Sequence, residues 1–337
     1  MIPISLLELV RVREGQNIRN ALDSAREAAQ QAEASGYTRV WVAEHHNIRG
    51  VASAATSIVI SYLAAATETI RVGAGGIMLP NHPPLVIAEQ FGTLATLYPD
   101  RIDLGLGRAP GTDQVAARAL RLDPTRSNAF PNEVLELQAL LAPEQEGQRL
   151  IAVPGAGTEV PLWILGSSTF GAQLAAQLGL PYGFASHFAP DALDTALMIY
   201  RQRFEPSATL EHPYALVGVN VIAAETDAEA RRLFTTQQMS FADLFRGARG
   251  HSKPPIDDID SYWNPFEAAQ ANRILGVSVV GSVETVRNGL AALIERTRAD
   301  ELMIVSDTYD PAARLKSIAL IAEAVRGLVP AGERVPA

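Results

Sequence analysis

Short runs of branched apolar residues alternate along the chain with longer stretches in which small apolar residues recur every three or four positions. The first pattern fits strands buried on both faces, and the second fits helices with one apolar stripe. Their alternation predicts a parallel sheet wrapped by helices. Strands are expected at 4–10, 39–43, 70–75, 101–106, 162–165, 182–186, 216–224 and 302–306. Ile18, Leu22, Ala25 and Ala29 mark one face of a helix that Asn17 can cap with Asn20 three residues on, and Gly36 follows its end. Ser53 is read as the start of the next helix, and Pro83 and Pro84 open another over 85–97. Helical stretches run to about 141, then over 169–178, from Pro190 onward, and over 312–326. Eight strands in β/α alternation is the count that closes a barrel, so the fold class is α/β, a (β/α)8 TIM barrel with insertion segments.

One connection exceeds that plan. More than seventy residues separate Ala224 from Leu302, where a barrel connection needs roughly twenty to thirty. It holds helical patterns at 227–245 and 283–297, with a Pro-, Asp- and Gly-rich stretch between them. The segment at about 246–275 is either a lid over the C-terminal face of the barrel or a disordered surface loop. Residues 1–328 are expected to form a single domain, with 329–337 a frayed tail.

Composition narrows the class. The chain has 337 residues, 47% hydrophobic and only 6% aromatic, which favours a tightly packed α/β protein over a sandwich with aromatic-rich strands. The net charge of −9 and the lack of a basic patch argue against a nucleic-acid partner. There is no cysteine, which excludes disulfides, thiolate metal sites and cysteine nucleophiles. No stretch has the apolar length of a membrane span and no secretory signal is read at the N-terminus, so a cytoplasmic location is expected.

Four clusters fall at predicted C-terminal ends of strands, where a barrel of this kind keeps its ligands. Glu44-His45-His46-Asn47 follows strand two. Adjacent histidines on a strand point to opposite faces, so only one can face the mouth easily, either as a general acid/base or as a hydrogen-bonded structural histidine. A metal reading is weaker, because HExxH spacing is absent. Gly73, Gly75 and Gly76 end strand three, as an ordinary turn or as a place where backbone approaches a flat ligand. Arg108, after Gly105-Leu106-Gly107, is either a solvated cation or an anion ligand. Gly166-Ser167-Ser168-Thr169 ends strand five before a helix, as a plain N-cap or as a phosphate-binding helix start. Together they describe a barrel that binds a phosphorylated planar cofactor.

The segments WVAEHHN, VGAGGIMLPNHPPLVIAEQF, RIDLGLGRAPGTDQ, ILGSSTFGAQLAAQLGLP and VVGSVETV cover nearly the whole chain and resemble the luciferase-like flavin monooxygenases, in particular an FMN-using subgroup with EHHN and GLGRAPGTDQ segments. The resemblance implies FMN at the barrel mouth, supplied reduced by a separate flavin reductase, and a small organic substrate. In that reading His45 matches the catalytic histidine, Gly75 and Gly76 a non-prolyl cis peptide against the flavin ring, and Arg108 a phosphate-binding arginine. Gly166, Ser167, Ser168 and Thr169 match the loop that holds the same phosphate. The resemblance also implies a homodimer through the helices after strands two and three. Gly107 stands where the luciferases carry a cysteine, so light emission is not expected. Two other readings of the same fold are a deazaflavin-dependent hydride-transfer enzyme and a flavin-binding protein without turnover.

Overall fold

The computed structural model describes residues 1–330 apart from Pro110, Thr112, Pro124 and Arg249; most of the expected 329–337 tail therefore lies outside the described residues. Among the described residues there are nine parallel strands: β1 (Ile4–Glu8), β2 (Arg39–Val42), β3 (Arg71–Met78), β4 (Ile102–Gly107), β5 (Leu162–Gly166), β6 (Tyr182–Phe184), β7 (Ala215–Ala223), β8 (Ser278–Gly281) and β9 (Glu301–Val305). Eight close a barrel in the order β1 to β7 and then β9, with β9 returning to β1 through Ile4 opposite Leu302. The barrel has the expected eight strands, and the ninth, β8, is an addition to the sheet that the sequence did not suggest. β6 reaches only Val217 on β7, and β8 takes the vacant edge beyond it, from Asn220 opposite Ser278 to Ala223 opposite Gly281.

Helices cover the outside: α1 (Ile18–Ala34), α2 (Thr56–Ala64), α3 (Pro84–Leu97), α4 (Gln114–Ala119), α5 (Phe130–Leu141), α6 (Thr169–Leu178), α7 (Leu193–Gln202), α8 (Asp227–Phe245), α9 (Pro265–Ile274), α10 (Val283–Thr297) and α11 (Pro311–Ala324). α1 begins with the expected capping box, Asn17 and Asn20 exchanging side chain-to-backbone bonds, and buries Ala21, Ala25, Ala28 and Ala32 against the barrel. Two boundaries moved for local reasons. β1 stops at Glu8 because Val10 turns to φ 50 and donates its N–H to the Glu8 carboxylate at 2.6 Å. α2 begins at Thr56 because Ser53 lies in the preceding loop, its carbonyl accepting from Thr56 Oγ1 at 3.0 Å. The 246–275 segment has structure of its own, a short 3-10 turn and α9, and sequence reading missed both α9 and β8.

Inward-pointing residues stack in layers, as period-two alternation requires. At the N-terminal end Arg39 donates to both Glu301 oxygens (2.8 and 3.1 Å) and to Asp103 (2.7 Å), while Arg71 holds the other Asp103 oxygen at 2.6 Å. Glu301 and Asp103 raise the Arg39 pKa against the opposing effect of burial. Above this ionic layer sit Leu7, Trp41, Trp163, Leu216 and Met303, with the Arg39 guanidinium 4.8 Å from the Trp163 ring centroid. The barrel is thus plugged below and apolar in the middle.

Candidate functional site

At the C-terminal mouth the layers give way to a cavity of about 640 Å³. Its floor is the apolar layer just described, and its rim comes from the ends of β2 to β7, from α8 and from residues 250–253. A smaller hollow of about 230 Å³ lies near Asp194 and Arg296 and shares no residue with it.

The turn after β2 is fixed by Glu44, which is buried. Its carboxylate accepts the Met78 N–H (2.9 Å), the Asn81 amide (2.8 Å), His46 Nε2 (2.8 Å) and His82 Nε2 (3.0 Å). Burial alone would raise its pKa; His82 foremost, with His46 and Asn81, outweighs burial and holds it below the ordinary value. The two histidines therefore part company. His46 is tied to Glu44, and His45 lines the cavity. Asn47, at φ 56, donates to Asp113 at 2.7 Å, and Asp113 in turn caps α4. The EHHN and GLGRAPGTDQ segments are thus laced together, although Pro110 and Thr112 of the second lie outside the described residues.

The Gly75–Gly76 bond is cis, and both glycines line the cavity. A Cβ on Gly76 would stand 2.6 Å from the Gly105 carbonyl, so the close approach of β3 to β4 requires glycine there. Arg108 leaves the end of β4 exposed, its guanidinium 3.8 Å from the Phe170 ring centroid. Beside it, Ser168 occupies the N-cap of α6 without making a side-chain capping bond and lines the cavity. Tyr182 supports this loop by donating to the Ser168 carbonyl at 3.1 Å. The cavity thus brings together His45, Gly75, Gly76, Arg108, Gly166, Ser167 and Ser168. Thr169 is the exception: it is the first residue of α6 and does not line the cavity.

Sequence reading missed His187, Asn220 and Gln237, which line the far wall. Burial, reinforced by His45, lowers the His187 pKa to about 3, so its imidazole is neutral. His187 follows a predicted strand end as His45 does, and the same rule applied there would have found it. Among the described residues no group of three or more His, Asp or Glu side chains could hold a metal ion, and no helix is long and apolar enough to cross a membrane.

Comparison with known proteins agrees with this geometry. The luciferase-like monooxygenase family model matches residues 4–301. A luciferase-like monooxygenase of Escherichia coli is 51% identical over 95% of this chain and 96% of its own length. Among solved structures, apo-MsnO8 superposes with a TM-score of 0.86 at 35% identity, covering 98% of this chain and all of its own. The oxygenating constituent of 3,6-diketocamphane monooxygenase from a Pseudomonas putida plasmid, solved with FMN, shares the fold at 19% identity and a TM-score of 0.72, covering 97% of this chain and 98% of its own. The chain belongs to the luciferase-like monooxygenase family.

Proposed function

We propose that this member of the luciferase-like monooxygenases uses reduced FMN and molecular oxygen to oxygenate a small organic molecule, with a separate flavin reductase supplying the reduced cofactor. The observation that carries this reading is one cavity that joins an anion-binding end to a flat, glycine-lined wall and an apolar floor. Arg108, the Ser167 and Ser168 hydroxyls and the α6 amides suit a phosphate; Gly75 and Gly76 line the same cavity with bare backbone, against which a ring system could lie.

Bound reduced FMN would supply the electrons that activate oxygen. The chain's own groups do the rest. Arg108, braced on Phe170, fixes the phosphate and so the depth of the ring. The layer of Leu7, Trp41 and Met303 keeps water from the cavity floor. His45, oriented by the turn that Glu44 anchors, holds or moves a proton at the mouth. Residues 246–275 act as the lid, because the strand-like crossing at Ser252 already ties them to the first loop. The homodimer is assigned to the outer faces of α2 and α3, where Ile58 and Leu97 stand exposed.

The deciding experiment mixes anaerobic protein and reduced FMN with oxygenated buffer and follows flavin absorbance. Reoxidation slower than that of free reduced FMN is expected. Reoxidation at the free-flavin rate, together with no FMN binding in a titration, would sink the reading.

A further inference from the structure

The groups assigned to FMN above come from one part of the barrel, the ends of β2 to β5. The remaining wall, built by β6, β7 and α8, carries three polar side chains for which that assignment has no use: His187, Asn220 and Gln237. Asn220 is fully buried and Gln237 is 4% exposed.

A chain of hydrogen bonds fixes which way each amide points. The His187 backbone carbonyl can only accept, so Asn220 turns its amide nitrogen to it, at 2.7 Å. Asn220 Oδ1 then faces Gln237 and accepts from its Nε2 at 2.5 Å. Gln237 Oε1 is left as a buried acceptor with no donor reaching it among the described residues. Gly218 makes room for this arrangement, since a Cβ there would lie 2.4 Å from His187 Nδ1. Buried polar groups in native proteins are satisfied, and an orphan acceptor in a cavity wall is a place for a ligand's donor.

The charges on this side cancel in pairs. Arg11 meets Asp307 at 2.9 Å, and Lys253 meets Asp243 at 2.7 Å. Below them the floor is apolar. A charged ligand finds no unpaired partner in these four groups, whereas a neutral apolar one with a single donor fits them and the floor alike.

We propose that the β6–β7–α8 wall is a substrate subsite, in which Gln237 Oε1 accepts a hydrogen bond from a hydroxyl or N–H group on a neutral, otherwise apolar organic substrate. His187 and Asn220 are its positioning residues. The proposal rests on the FMN reading for the division of the cavity into a cofactor part and a substrate part.

The test titrates the full chain calorimetrically with 2-naphthol and with 2-fluoronaphthalene, which is close in shape and lacks the donor. Each titration is run without FMN and with saturating oxidised FMN. 2-Naphthol is expected to bind about tenfold more tightly, about 1.4 kcal/mol, in both conditions. Gln237→Met should abolish the preference, and Gln237→Glu, which keeps an acceptor, should retain part of it. If Gln237→Met does not fold, the wild-type pair still decides. Equal binding of the two probes, no binding of 2-naphthol, or a preference that survives Gln237→Met overturns the proposal. Displacement of 2-naphthol by FMN also overturns it, because the donor met by Gln237 is then the flavin's. Failure of FMN itself to bind defeats the cofactor reading instead and leaves the flavin-free comparison to judge the subsite.

Discussion

At the scale of single residues, the end of the cavity proposed to take a phosphate separates charge from the support of charge. Arg108 carries the charge, and Phe170 holds it in place by stacking. Arg108→Ala should weaken FMN binding about thirtyfold or more, because a charge-assisted phosphate contact is worth roughly 2–3 kcal/mol. Phe170→Ala should weaken it about fivefold, on the order of a cation–π contact at an exposed site. Riboflavin, which lacks the phosphate, should respond to neither, and fluorescence titration of both flavins reads the difference. A second residue-scale consequence concerns acid. His187 has its folded pKa lowered to about 3 by burial first and by His45 second, whereas an unfolded histidine titrates near 6.5. The unfolded chain takes up this proton first as pH falls, so the stability due to the neutral ring is fully present above about pH 6.5 and is lost on the way down to about 3. Between pH 7.5 and 5 the loss is on the order of 1–2 kcal/mol. Urea unfolding at the two pH values should show it in the wild type and show less of it in His187→Gln; equal losses would refute the assignment.

At the scale of elements, the crossing at 250–253 is the piece whose behaviour can be forecast. Ser252 donates its N–H to the Val12 carbonyl and accepts the Glu14 N–H, both at 2.9 Å. Lys253 donates to Asp243 at 2.7 Å and to the Tyr262 hydroxyl at 2.6 Å. Lys253→Met removes the ammonium and leaves Asp243 short of a partner, so the strap should loosen without unfolding the barrel. Hydrogen exchange over 246–262 should speed up and FMN should dissociate several-fold faster, the scale of one partly exposed ion pair. An unchanged dissociation rate would remove this segment from the role of lid. The same stretch shows why parts of the fold were unreadable in the sequence. The eight barrel strands are apolar runs bounded by turn residues, and that pattern is local. β8 is four residues, Ser278 to Gly281, whose partner is the overhanging half of β7; only the tertiary register makes it a strand. α9 was hidden because Asn264 and Pro265, its cap and first residue, also read as loop punctuation. The candidate site divides likewise. His45, the glycines, Arg108 and Ser167–Ser168 sit in motifs at strand ends, whereas Gln237 lies in mid-helix, and its place in the cavity wall depends on where α8 crosses the mouth.

At the scale of the whole molecule, the barrel axis runs from an ionic layer through an apolar layer to the cavity, and the two ends have separable tasks. The N-terminal layer holds Arg39 and Arg71 on Asp103, with Glu301 taking the rest of the Arg39 fork. Asp103 is 1% exposed, and Trp41 Nε1 also donates to it at 3.2 Å. Its charge is therefore met by two guanidinium groups and an indole. Asp103→Asn keeps the shape and removes the charge, which leaves Arg39 buried with Glu301 as its remaining carboxylate. Leaving a buried charge wholly unpaired costs about 3–5 kcal/mol, and because Arg39 keeps both Glu301 oxygens the cost here should fall at or below the low end of that range. For a chain of this length that should lower the melting temperature by several degrees, at roughly 2–4 °C per kcal/mol. None of the groups assigned to FMN contacts this layer, and the apolar floor separates the two, so FMN affinity in the folded variant should change less than about threefold. Calorimetric melting and an FMN titration on the same preparation test both halves. A stable Asp103→Asn would mean that the ionic layer contributes little to the barrel. A destabilised variant that also loses FMN would mean that the floor transmits the disturbance, and that the two ends of the barrel act as one unit.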